Sequence, residues 1–101
     1  MDEVNLLIEI SKKMFIVMYF LDENYLNCDI KNTNTFLENF IKEDIDIYQI
    51  DKCKNQFQTH IQILSKLLYN YEEKVRFKKN NLDELKTVVR FKELLSDIKI
   101  R

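Results

Sequence analysis

His60 and Cys53 are the residues whose types most readily do chemistry. They stand seven positions apart, so on a helix they share nearly one face. An imidazole and a thiolate so placed could supply two ligands to a zinc ion. A structural zinc site takes four, usually in paired spacings, and Cys28 would be only a third, because the chain holds one His, two Cys and no CxxC. His60 is therefore read as a helix-flank residue, and no metal or other cofactor is expected. A Cys/His catalytic pair fails similarly, since both residues lie on one helix with no orienting group or oxyanion donor in view.

The acidic group Glu43, Asp44, Asp46 and Asp51 has the composition of a calcium loop but lacks its central Gly. It reads instead as solvated charge at the positive N-terminal end of a following helix. Glu-x-x-His pairs, which carry carboxylate metal centres in helical bundles, do not occur. With no Gly at all, a P-loop, a dinucleotide fingerprint and a nucleophile elbow are ruled out. The expectation is a protein that is not an enzyme and has no catalytic residue.

Charge is distributed unevenly. Residues 1–73 carry 7 basic and 13 acidic side chains, a net of −6, whereas residues 74–101 carry 9 and 4, a net of +5. Lys74, Arg76, Lys78, Lys79, Lys86, Arg90 and Lys92 form a candidate basic patch for nucleic acid or an acidic partner. Against nucleic acid stand the overall acidity and the presence of only three Arg, the residue best suited to forked contacts with phosphates and base edges. Lys and Arg near a helix C-terminus also complement its dipole without any ligand.

The elements that must carry these residues are helices. The chain of 101 residues is long enough for one domain, 1–101, with a modest core. It lacks Gly, Pro, Trp and Ala, and Ile, Lys and Asn fill 35 positions, a bias typical of an AT-rich genome such as that of a virus, phage or low-GC bacterium. A β-rich fold without Gly or Pro would lack its usual turn residues. Asn can take left-handed turn positions instead, and Asn24, Asn27, Asn32, Asn34, Asn80 and Asn81 are the candidates.

The run Met14 to Leu21 is eight bulky apolar residues long. A bilayer span needs about 20, so no membrane span is expected, and acidic Asp2 and Glu3 argue against a secretion leader. Cys28 and Cys53 read as free thiols in a reducing compartment, with a disulfide between them the alternative, and the location expected is the cytoplasm of a bacterium or host cell. Leu7, Ile10, Met14, Val17 and Leu21 step by three and four, which predicts a helix from near Val4 to Asp22 or beyond. Its far side continues apolar as Ile16, Tyr19 and Phe20.

A connection follows from Asn24 to Asn34, then a short helix from Phe36 to Lys42 or Ile45, opened by a capping box at Thr35 and Glu38. Asp44 to Ile47 reads as a bend. A third helix, Tyr48 to Lys78, keeps Ile50, Cys53, Phe57, Ile61, Leu64, Leu68, Tyr71 and Val75 on one stripe. A second capping box at Asn81 and Glu84 opens a last helix with Leu82, Leu85, Val88, Phe91, Leu95 and Ile98 inward. The echo of "VRFKK" at Val75 in "VRFKE" at Val89 reads as coincidence.

The fold expected is all-α, a small four-helix bundle with one short helix, its third and fourth helices an antiparallel hairpin. Bulky apolar residues in excess of one small core point to a partner surface, with Ile16, Tyr19, Phe20 and Phe77 as its candidates, although a fully central first helix would account for those on it without a partner. The function expected is protein–protein interaction, as an inhibitor, adaptor or immunity-type factor, with another protein or a second copy as partner. A nucleic-acid-binding regulator using the basic C-terminal hairpin is the alternative.

Overall fold

Hydrophobic periodicity dictates the four helices found in the computed structural model, which describes residues 2–25, 28–43 and 47–100. They are α1 (Asp2–Asn24), α2 (Lys31–Lys42), α3 (Ile50–Arg76) and α4 (Leu82–Ser96), with a short 3-10 turn, Ile47–Gln49, leading into α3. Among the described residues there is no strand, and no helix is long and apolar enough to cross a membrane. The fold is the all-α bundle that the periodicity predicts.

Contacts between named residues give the helix directions. Glu3 meets Lys54 and Phe20 meets Tyr71 at one constant offset, so α1 and α3 run parallel. Thr33 meets His60 while Phe36 meets Phe57, a pairing that runs in opposite senses, so α2 is antiparallel to α3. Lys78 meets Glu84 while Glu72 meets Lys92, again in opposite senses, which makes α3 and α4 the antiparallel hairpin. The topology is up-down-up-down.

The core lies between α1 and α3. Leu7, Met14, Val17 and Leu21 on α1 and Phe57, Leu64, Leu68 and Val75 on α3 are fully buried, and Leu37, Val88 and Leu95 close it from α2 and α4. Both long stripes fall where the spacing puts them, except that Ile61 is half-buried. No buried side-chain nitrogen or oxygen among the described residues lacks a partner.

Helix ends depart from the sequence expectation. Thr35 does not cap α2: the helix begins four residues earlier, at Lys31, because Thr33 turns inward, is buried and bonds His60. Asn32 and Asn34 are accordingly helical rather than turn residues. The box at Asn81 and Glu84 does not form either. The Asn81 amide donates backward to the carbonyls of Val75 and Arg76 (3.1 and 3.2 Å), closing the open end of α3, while Glu84 is taken by Tyr71 and Lys78. Asn80 adopts φ 58°, the left-handed position for which the chain has no Gly. The hairpin turn is thus made by Asn80 and Asn81 as predicted, but α3 stops at Arg76 and Leu82 is exposed rather than inward. Asn27, Asp44 and Asp46 lie outside the described residues.

Candidate interaction surface

α1 has neighbours on three sides, α2, α3 and α4. Its fourth side is open. Ile16 is 54% and Tyr19 67% exposed on that side, in line with Lys12 and Glu23 at helical spacing.

Beside this stripe runs a groove of about 540 Å³, lined by Phe15, Ile16, Tyr19, Phe20, Glu23 and Phe91. Phe20 forms its floor. Its ring packs on Tyr71 (5.5 Å, edge-on) and Phe91 (4.7 Å, tilted), so it is largely covered by the chain's own helices. Phe15 and Phe91 are likewise half-buried. The Glu23 carboxylate, one turn along the helix, raises the Tyr19 pKa above its usual value through hydrogen bonding and its charge.

The four predicted interface residues are therefore not one surface. Ile16, Tyr19 and Phe20 come together, whereas Phe77 lies at the hairpin tip, 87% exposed, immediately after α3 ends. Sequence reasoning missed Phe15 and Phe91 as walls of the groove. Phe91 had been placed inward by period alone, and only the packing of α4 on α1 shows that its ring reaches the surface.

The basic residues are also dispersed. Arg76 and Lys92 both bind the buried carboxylate of Glu72, at 2.9 and 3.0 Å, and Arg76 also meets Glu73. Lys78 pairs with Glu84, and the Lys74 ammonium sits 4.7 Å from the Tyr25 ring centroid. Among the described residues no ion pair involves Lys79, Lys86 or Arg90. Lys86 and Arg90 lie on the outer face of α4 with Asp83, Glu93 and Asp97, a stripe of mixed charge.

The residues first considered for chemistry serve packing. His60 stacks on Phe36 at 4.5 Å and bonds Thr33 through Nδ1 at 2.9 Å, while burial lowers its pKa. Cys28 and Cys53 are free thiols, each raised in pKa by burial, with Asp22 and Asp29 adding to the effect at Cys28. Among the described residues no three His, Cys, Asp or Glu side chains gather as a metal site would need. No protein-family model matches the chain, and no curated protein or solved structure is similar to it beyond chance.

Proposed function

We propose that this protein is a helical interaction module that acts by occupying a surface on another polypeptide through the open side of α1, as an inhibitor, adaptor or immunity-type factor. The supporting observation is the contiguous apolar stripe and groove formed by Phe15, Ile16, Tyr19 and Phe20 of α1 with Phe91 of α4, on a side of α1 that no other helix covers among the described residues. Apolar surface rimmed by charge, here Lys12 and Glu23, is how interaction sites are commonly built. Nucleic-acid binding by the hairpin is the weaker reading, because most of its cations already have an acceptor or ring within the chain.

Photo-cross-linking from a reactive amino acid installed at Ile16, compared with one at Lys66 on the exposed side of α3, tests this in the source cell. A discrete polypeptide adduct from position 16 alone is the expected result. No adduct there, with a nuclease-sensitive adduct from Lys79 or Lys86, would transfer the function to the hairpin.

A further inference from the structure

The exposed residues along α1 are spaced as a seam: Lys12, Ile16, Tyr19 and Glu23 step by four, three and four, the interval at which one helix meets another over several turns. Charge is opposite at the two ends and the middle is apolar. We infer that this face is the interface with a second copy of the chain, in an antiparallel register that sets Lys12 opposite the partner's Glu23 and Ile16 opposite the partner's Tyr19. The inference rests on the protein-interaction reading above and names its partner.

The register follows from the residues. A parallel pair related by a two-fold axis places every residue opposite itself, so Lys12 would face Lys12 and Glu23 would face Glu23. An antiparallel pair centred on Ile16 opposes Glu9 and Glu23, again like charges. Centred midway between Val17 and Met18, the pair becomes self-complementary. Lys12 and Glu23 lie equally far on either side of that point, about 8 Å away at 1.5 Å per residue.

The two-fold axis then generates two Lys–Glu pairs flanking a cluster of two Ile16 and two Tyr19 side chains. Oppositely charged ends with an apolar centre fix both direction and register, which an apolar patch alone would leave open. Lys12 already touches Glu9 at 3.1 Å, but both side chains are about two-thirds exposed (66% and 64%), so this contact yields readily to a better-placed carboxylate. Ile16 and Tyr19 stand 54% and 67% exposed on that side, and the half-buried Phe15 and Phe20 beside the seam would be sealed with them.

Charge reversal provides the test, because Lys12 and Glu23 are both exposed and outside the core. Light scattering and sedimentation equilibrium of the full chain over a concentration series should show a dimer whose affinity falls with salt. K12E and E23K should each weaken self-association at least about tenfold, because each brings like charges together twice. An equimolar mixture of the two variants should recover the dimer, and so should the double variant K12E/E23K, since both arrangements restore opposite charges at every contact. Far-ultraviolet circular dichroism checks that each variant is folded.

A native chain that stays monomeric at all concentrations, or a dimer indifferent to both reversals, overturns the inference, as does a mixture that fails to recover. A monomer that still gives a polypeptide adduct from position 16 refutes the second copy and leaves the interaction reading standing. A monomer with no adduct refutes both.

Discussion

α3 holds its two smaller neighbours by different chemistry. Along its first half it receives α2 through rings: Phe36 and Phe40 meet Phe57 nearly edge-on at 5.0 and 4.8 Å, and His60 lies flat on Phe36. Toward its other end it receives α4 through ions and a phenol: Glu72 binds Lys92, and Tyr71 donates to Glu84 at 3.1 Å. Rings as large as these keep helices apart, so the backbones of α2 and α3 barely approach, whereas α4 lies close along α3. An attachment by rings is uncharged and sensitive to volume. One by ions is sensitive to charge and salt.

The sharpest way to break the first attachment is Phe57→Ala. Phe57 is fully buried and both α2 rings rest on it, so its loss leaves a cavity that α2 can only partly fill. A cost of about 3–5 kcal/mol is expected in urea unfolding, with little change when salt is added.

The second attachment breaks by charge. Glu72→Lys places an ammonium where the native side chain is only 6% exposed and confronts it with Arg76 and Lys92. Removing one partner from a fully buried pair costs about 3–5 kcal/mol. Arg76 and Lys92 are 56% and 41% exposed and can turn outward into water, so about 2–3 kcal/mol is expected. Glu72→Gln should cost less and should lose the salt sensitivity of the native chain. Equal salt dependence in the native chain and Glu72→Gln would show that the ion pairs contribute nothing to holding α4.

The same contrast explains what could be read from the sequence. The stripes of α1 and α3 were legible because period alone decides which side of a long helix is buried. The beginning of α2 was not, since Thr33 is drawn inward by His60, 27 positions away, a contact no local pattern announces. Asn81 misled for a related reason: its amide had two helix ends within reach and serves the carbonyls of α3.

The repeated "VRF" shows the limit of pattern most plainly. Val75 is fully buried whereas Val89 is 46% exposed, because the turn between them breaks the phase that fourteen residues of continuous helix would have kept. At the candidate site the apolar run was visible. Which side of it stayed open depended on where α2 and α4 came to rest.

pH should separate the two attachments in opposite directions, with the smallest effects. Burial lowers the His60 pKa below its usual 6.5, so the unfolded chain takes up a proton more readily than the folded one. Stability from the neutral ring is therefore complete above pH 6.5 and declines as pH falls through 6.5 toward the folded value. His60 is the chain's only histidine, so this decline begins before most carboxylates titrate. Tyr71 behaves in the reverse sense. Burial first, and its bond to Glu84 second, push its pKa from 10.0 up to about 12, so its contribution is complete below pH 10 and is lost as pH rises toward 12. Denaturant midpoints measured across the range should thus fall at both extremes. His60→Gln should flatten the mildly acidic fall, and Tyr71→Phe should reduce the alkaline one. If His60→Gln leaves the fall below pH 6.5 unchanged, the buried imidazole is not the group that titrates there.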